Sequence, residues 1–219
     1  MKSTRPQEIQ AQLVGFSWRL PLDGPVGEDE IQAQAFPEAP IAAGGQLFLA
    51  SWGLRPAWAE GAGRWVEGRR ATLNCRAEEM AAKPSFRTLV DTGRCLIPVE
   101  YFVEWRHEAS GRTTRYRVSL DDGEPLYLGG LWQDHDEGPC FTVCTLPADP
   151  LMAWVHNTKL RMPLVVRGAA REAWLAPGPL GPALGAVSGP LPLVAVDEGG
   201  RQVRASTLPR GTPTQGELF

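Results

Sequence analysis

One histidine of this sequence lies where it could move protons. His156 begins the run HNTKLRMP, directly after an apolar segment, 151–155, that predicts a short helix. A histidine titrates near neutral pH and can therefore act as a general acid or base. At a helix C-terminus it can instead satisfy the last carbonyl groups and the helix dipole. The residue alone leaves both interpretations open.

A glutamate in apolar surroundings is the second candidate. Glu104 lies between Val103 and Trp105 in the run PVEYFVEW. An ionised carboxylate is costly in such surroundings unless it is paired or its pKa is changed for a function. Glu104 is therefore the best single site candidate on physical grounds.

The run TLNCRAEEM places polar residues at a spacing of two. In an extended conformation Asn74, Arg76 and Glu78 project from one face, and Cys75 projects from the other. Such a face is typical of a solvated surface strand and equally of one wall of a site.

These candidates fall on predicted strands and short helices. Alternating β-branched and aromatic residues between turn signals predict strands over 46–54, 94–105, 112–120, 125–133, 140–146 and 162–168. The segment 55–70 mixes Pro, Gly, Trp and Arg without either period, and it predicts a surface loop. Helices are predicted over 78–90, interrupted at Pro84, and over 148–156 and 170–176.

The predicted elements are most economically one α+β domain. It spans 1–219, with a curved, mainly antiparallel, barrel-like sheet flanked by short helices, and it ends in a Pro- and Gly-rich segment, 177–219. The chain is long enough to bury a sizeable core without disulfides or metals.

Composition narrows the class of protein. With 43% hydrophobic and 21% charged residues the chain resembles an average soluble protein. No apolar run approaches the roughly 20 residues that cross a bilayer, and the N-terminus lacks the apolar core of a secretory signal. We expect a cytoplasmic protein with no membrane contact, and nothing in the sequence indicates an obligate protein partner.

The cysteines do not predict a metal centre. Cys140 and Cys144 share a predicted strand face, and with His135 they suggest a metal, but their spacing is not that of a zinc ribbon or finger. We interpret them as a buried thiol pair, and we expect no metal and no cofactor.

Positive charge is concentrated in the middle of the chain. The net charge is −3 overall, but residues 55–117 carry twelve Lys or Arg against eight Asp or Glu. Within this segment Trp58 and Trp65 alternate with arginines such as Arg55, a mixture expected where bases stack and phosphates are neutralised. A nucleic-acid surface is one interpretation, and an arginine-biased composition with core tryptophans is the other.

Six linked motifs resemble one known family. SWGLRPAWAE, NCRAEEM followed by KPSFR, RCLIPVEYFVEW, GEPLYLGGLW, CTLPADPLM, and His156 followed by RMPLVV occur in the order typical of the SOS-response-associated peptidases, also called abasic-site processing proteins. The resemblance covers roughly residues 46–170.

The resemblance implies binding of single-stranded DNA at abasic sites and a covalent link to the opened sugar. It assigns Asn74 to holding the attacking terminus and the sugar, Glu104 to the site carboxylate, and His156 to sugar opening and proton transfer. It assigns Arg76 to a DNA phosphate, and we add Arg161 of the Arg-Met-Pro motif to the candidate DNA contacts.

The sequence departs from the family in two places. Family members begin Met-Cys-Gly-Arg, whereas the first cysteine here is Cys75. The amines of Met1 and Lys2 are then the expected nucleophiles, and an amine without a neighbouring thiol forms only a reversible imine. Four residues also separate His156 from Arg161, which is longer than usual for the family.

Three functions are therefore compared. The first is an enzyme that forms a covalent or imine link to abasic single-stranded DNA, and the second is a DNA-binding module without that chemistry. The third is a true peptidase, which finds no support in a Ser-His-Asp order or an HExxH motif.

Overall fold

The computed structural model describes residues 1–3, 17–18, 30–59, 63–187 and 189–209. The strands in these ranges are β1 (Lys2–Ser3), β2 (Ser17–Trp18), β3 (Glu38–Ala43), β4 (Gln46–Trp52), β5 (Asn74–Arg76), β6 (Arg94–His107), β7 (Thr113–Leu120), β8 (Leu126–Gln133), β9 (Cys140–Pro147), β10 (Arg161–Pro163), β11 (Leu193–Asp197) and β12 (Gln202–Arg204). The α-helices are α1 (Trp65–Ala71), α2 (Pro150–Val155), α3 (Ala170–Leu175) and α4 (Leu180–Ala186), and short 3-10 helices lie at Ala33–Ala35, Ala57–Ala59 and Ala205–Thr207.

Strand pairing closes a ring. β4 pairs with β3 and β9, β3 pairs with β6, and β8 pairs with both β6 and β9. From this ring the β6–β7 hairpin continues outward to β11 and β12. Most pairs are antiparallel, and the parallel ones among the described strands are β2–β4, β4–β9 and β5–β9. The predicted α+β fold around a curved, mainly antiparallel sheet is confirmed.

The sheet is buried on both faces. Along β6, Cys95, Ile97 and Val99 pack in one hydrophobic core, while Leu96 packs in a second. The second core includes the fully buried Trp174 of α3, whose indole Nε1 donates to the Cys95 carbonyl at 2.9 Å. Burial of both faces explains why β6 begins as a continuous apolar run rather than an alternating one.

A glycine allows β8 to fit between its two neighbours. A Cβ on Gly130 would lie 2.5 Å from the Thr142 carbonyl oxygen and 2.6 Å from the Ile97 Cδ1. Both distances are far below van der Waals contact, so the strand requires glycine here.

Three predicted elements differ from the structure. The segment 55–70 was expected to be a loop, but it contains a 3-10 helix and all of α1 except its last residue. The polarity of α1 suits a short helix, because Glu67 lies in its first turn and Arg69 and Arg70 lie in its last.

The predicted helix over 78–90 is a series of turns. Lys83 donates its backbone N–H to Glu79 and Arg87 donates to Lys83, yet no continuous helix forms. Pro84 has no N–H and restricts the residue before it, which explains the interruption. The predicted strand over 162–168 is reduced to the end of β10 and a single bridge between Val165 and Leu128.

The other predicted elements agree more closely. Strands were found at 46–52, 94–107, 113–120, 126–133 and 140–147, and helices at 150–155 and 170–175. The Pro- and Gly-rich segment contains α4, β11 and β12, and its last residues, 210–219, lie outside the described part. Within the described ranges, no helix combines the length and the apolar character needed to cross a membrane.

Candidate active site

Four separate elements bring the predicted catalytic residues to one cavity. β5 supplies Asn74, the outer half of β6 supplies Glu104, His156 is the C-cap of α2, and β10 begins with Arg161. The cavity has a volume of about 410 Å³. Its lining consists of Asn74, Cys75, Arg76, Glu104, Thr145, His156, Lys159, Arg161, Met162 and Pro163.

His156 ends a helix and also places its ring in the cavity. Its backbone N–H donates to the Met152 carbonyl at 2.7 Å and closes the helix. Its ring Nδ1 donates to the Arg161 carbonyl at 3.1 Å and lies 3.5 Å from Glu104 Oε2. Because a carbonyl only accepts, Nδ1 carries the hydrogen in that contact, and the lone pair of the neutral ring is on Nε2. The longer spacing before Arg161 therefore does not remove His156 from the site.

Burial shifts the pKa values of Glu104 and His156 in opposite directions. Desolvation raises the pKa of Glu104 from 4.5 to about 7, against smaller opposing effects of Lys159 and the chain's terminal amine. Desolvation also lowers the pKa of His156 below its ordinary 6.5, although the hydrogen bond to Arg161 opposes it. At neutral pH the carboxyl is populated in both protonation states and the imidazole is mainly neutral, as general acid–base chemistry requires.

β5 has the alternation that the sequence predicted. Asn74 and Arg76 are exposed and Cys75 is buried. The Cys75 Sγ lies 3.2 Å from the Cys144 Sγ, because Cys75 and Cys144 are paired across β5 and β9. Cys140 and Cys144 are both fully buried in one hydrophobic core, as the sequence predicted. The contact between Cys75 and Cys144 was not predicted, because β5 was not predicted beside β9.

The cysteine thiols are poor nucleophiles in this structure. All four are free and buried. Desolvation raises the pKa of the Cys95, Cys140 and Cys144 thiols, which disfavours the reactive thiolate.

The terminal amine lies beside the same site. β1 pairs antiparallel with β6, with Lys2 opposite Tyr101. The Met1 α-amine donates to the Ile31 carbonyl at 3.2 Å, and Met1 lines a second cavity that shares Asn74 and Glu104 with the first. Desolvation lowers the pKa of this amine below 8.0, with Glu30 the largest opposing influence, so more of it is neutral at pH 7.

Two arginines of the cavity differ in how firmly they are held. Arg161 forms a bidentate pair with Glu78, with Nη2 2.9 Å from Oε2, and donates to the Thr145 carbonyl at 2.8 Å. Burial alone would raise the pKa of Glu78, but the hydrogen bonds it accepts and the charges of Arg161 and Arg76 together outweigh burial and lower the pKa. Arg76 remains largely exposed, with a 3.1 Å contact to Glu79. Arg76 is thus freer to meet a phosphate than Arg161.

The predicted DNA-binding tryptophans lie in different places. Asn74 and Arg76 also line a shallow groove that reaches Ser85, whose Oγ accepts from the Trp58 indole at 2.9 Å. Trp65, which is 56% exposed, instead lines a separate cavity together with Arg55.

Arg55 is held in place within that separate cavity. It donates to the Gly138 carbonyl at 3.1 Å and pairs with Glu137 at 3.3 Å. The structure therefore brings Trp58 to the groove beside the site and leaves Trp65 and Arg55 apart from it.

Lys159 and Trp105 are two residues of these cavities that sequence reasoning missed. Lys159 lines the first, and the exposed Trp105 lines the second. Lys159 lies in the longer segment before Arg161, and this departure from the family spacing was the available signal. For Trp105 the available signal was its place between two charged residues, Glu104 and Arg106.

The described part of the chain contains no cluster of metal-binding side chains, and the first cavity contains one side-chain hydroxyl, that of Thr145. No group of three His, Cys, Asp or Glu residues there could hold a metal ion. Thr145 is the hydroxyl-bearing residue of the first cavity, and its Oγ1 donates to the Cys75 carbonyl at 3.3 Å. A hydroxyl held in this way is poorly placed as a nucleophile.

Residues 33–185 match the family described as SOS response associated peptidase (SRAP). The chain is 30% identical over 131 residues to the abasic site processing protein YoaM of Bacillus subtilis, covering 58% of this chain and 55% of that protein. It is 25% identical over 128 residues to the abasic site processing protein YedK of Escherichia coli, covering 57% of this chain and 52% of that protein. The matched region spans about half the length of these curated relatives.

A solved structure shares the fold over most of its length. A crystal structure of a protein from Bacteroides thetaiotaomicron has a TM-score of 0.78 and 26% identity, with 90% of this chain and 89% of that chain covered.

Proposed function

The chain belongs to the SOS response associated peptidase family, and on that premise we propose that it binds single-stranded DNA at abasic sites and forms an imine link to the opened sugar. The single observation that carries the proposal is the cavity shared by Asn74, Glu104 and His156, with the Met1 α-amine beside it. The names of the relatives supply the substrate class, abasic DNA.

Imine formation needs one amine, a group that takes a proton from this amine, and a group that gives a proton to the departing hydroxyl. The amine nitrogen attacks the C1′ aldehyde of the opened sugar and forms a carbinolamine. Loss of the hydroxyl as water then gives the C=N bond, and no electrons are exchanged with another reagent. A carboxyl with a pKa of about 7 can take the proton of the attacking amine and return one to the departing hydroxyl. In this proposal neutral His156 relays the proton, and Asn74 holds the sugar.

Met1 rather than Lys2 supplies the terminal-region amine in the 219-residue chain. The Met1 α-amine belongs to the cavity that contains Glu104, and its pKa is lowered by burial. The Lys2 ammonium instead pairs with Glu100 at 3.0 Å.

The groove that holds Arg76 and leads to Trp58 is the proposed path of the DNA strand. An exposed guanidinium suits a phosphate and an exposed indole suits a base, so the two can hold a single strand without reading its sequence. Arg161, and more remotely Arg55 and Trp65, remain predicted contacts.

A binding module without covalent chemistry is the second candidate. Its support is that Cys75, the first cysteine of the sequence, is buried and on the opposite face of β5 from Asn74. No thiol is therefore placed to trap an imine as a stable ring.

Trapping with borohydride separates the two candidates. The chain is incubated with an abasic single-stranded oligonucleotide, with and without borohydride, and run on a denaturing gel. We expect an adduct that requires the reductant and that decreases at least tenfold in Glu104→Gln and in His156→Ala, because each removes a proton-transfer group. Glu172→Gln, an exposed change on α3, is the matched control and should leave the adduct unchanged.

The outcomes are distinct. An adduct that resists denaturation without reductant would show that the link is more than an imine. Salt-dependent binding with no adduct under either condition would establish the binding module instead.

A further inference from the structure

The segment between His156 and Arg161 is a fixed turn. Asn157 joins this turn to the end of β6 by two hydrogen bonds. Its Nδ2 donates to the His107 carbonyl at 2.8 Å, and its Oδ1 accepts from the His107 N–H at 3.0 Å. At the other end the Leu160 N–H donates to the His156 carbonyl at 3.1 Å.

Leu160 adopts an unusual backbone conformation. Its φ is +51°, and its carbonyl accepts from the Ala148 N–H at 2.9 Å. A non-glycine residue with positive φ is costly and persists only where its surroundings determine it. The turn therefore has one defined shape, and that shape places Lys159 on the cavity lining with Glu104 and His156.

Lys159 differs from the other lysines of the chain. The sequence contains three lysines. Lys2 pairs with Glu100 at 3.0 Å and Lys83 pairs with Glu79 at 3.5 Å. Within the described ranges no ion pair holds Lys159, yet its charge lowers the pKa of both Glu104 and His156. Its amine is thus close to the proton-transfer pair and is not committed to another partner.

We propose that Lys159 is a second imine-forming amine of this cavity. The inference rests on the proposed function, because it takes the opened abasic sugar as the substrate. The neutral Lys159 Nζ attacks the C1′ aldehyde, a C–N bond forms, and the carbonyl oxygen leaves as water after receiving protons from the site. The product is a lysine imine that does not depend on which residue begins the chain.

Peptide mapping of the trapped adduct tests this assignment. After borohydride treatment with abasic single-stranded DNA, the protein is cleaved at arginine and the DNA is trimmed by nuclease. Lys159 then lies in peptide 118–161, Lys83 in 77–87, and the terminal amine with Lys2 in the N-terminal peptide. We expect a sugar adduct on Lys159 by mass spectrometry, and a chain whose terminal amine is selectively blocked should still be trapped.

Lys159→Arg supplies the decisive comparison. Arginine keeps the positive charge but does not form an imine under these conditions, so we expect at least a tenfold loss of trapping in the blocked chain. Affinity for the same DNA should change less than twofold, and Lys83→Arg should trap as the wild type does. An unchanged melting temperature confirms that each variant is folded.

Each alternative outcome overturns a different statement. An adduct confined to the N-terminal peptide overturns the role of Lys159 and leaves the proposed function in place. Equal adducts on Lys83 and Lys159 overturn it as well, because they indicate reaction of exposed lysines in general. Absence of any adduct in wild type overturns the imine function itself.

Discussion

Replacement of Glu104 by glutamine should stabilise the protein in a pH-dependent way. The carboxyl has a pKa of about 7 in the folded chain, against an ordinary value of 4.5. Between these two pH values the folded state binds more protons than the unfolded state, so the free energy of unfolding falls as pH rises. Above pH 7 the free energy of unfolding has fallen by the full amount. At about 1.4 kcal/mol per pH unit this decrease is about 3 kcal/mol.

Glutamine has nearly the same shape and does not ionise. Glu104→Gln should therefore match wild type at pH 4.5 to within about 0.5 kcal/mol, and exceed it by up to about 3 kcal/mol at pH 8.5. Urea denaturation at pH 4.5, 7 and 8.5 measures both. Glu172→Gln, whose side chain is exposed, should show no comparable change with pH.

A pH-independent difference between Glu104→Gln and wild type would refute this reasoning. It would mean that the pKa of Glu104 is the same in the folded and the unfolded chain, as it is for an ordinary exposed glutamate. The carboxyl could then still accept a proton weakly, but it could not act as both acid and base near neutral pH. If Glu104→Gln is more stable than wild type at high pH and loses the adduct, the buried carboxyl lowers stability but is needed for the reaction.

Three further outcomes are expected. Arg76→Glu should weaken binding of single-stranded DNA, measured by fluorescence anisotropy. Removal of its phosphate contact should reduce the slope of log affinity against log salt by about 0.7. An affinity that does not change with salt would contradict the proposal that this surface binds DNA. Trp58→Ala should lower the affinity roughly 5- to 150-fold, the equivalent of about 1–3 kcal/mol for one stacked base, and an unchanged affinity removes Trp58 from the strand's path. Gly130→Ala should reduce the free energy of unfolding by about 1–3 kcal/mol because its Cβ meets the Thr142 carbonyl; equal urea midpoints would show that β8 can move aside.

Several features of the fold were predictable because they depend on neighbours in sequence. Strands β6 and β7 followed from two β-rich runs, and α2 followed from an apolar run after Asp149. The Asp149 side chain caps that helix by accepting from the Met152 N–H at 2.8 Å. Such local signals fix element type without reference to the rest of the chain.

The features that the sequence did not reveal have both local and distant causes. The residues around Pro84 are of types that favour a helix. Their backbone hydrogen bonds nevertheless form separate turns and not one continuous helix. The partner of Cys144 could not be found from its own strand, because β5 pairs with β9 across 69 residues of sequence.

The sequence by itself determined the strand-rich α+β fold, the alternating faces of β5, and Glu104 as a carboxylate in apolar surroundings, since periodicity and residue type are properties of short segments. Only the tertiary structure decided that Glu104 and His156 lie 3.5 Å apart and that Lys159 lines their cavity. The physical reason is that closure of the ring sets these distances, and closure depends on which strands pair. The pKa of about 7 for Glu104 likewise depends on the solvent that folding removes around it.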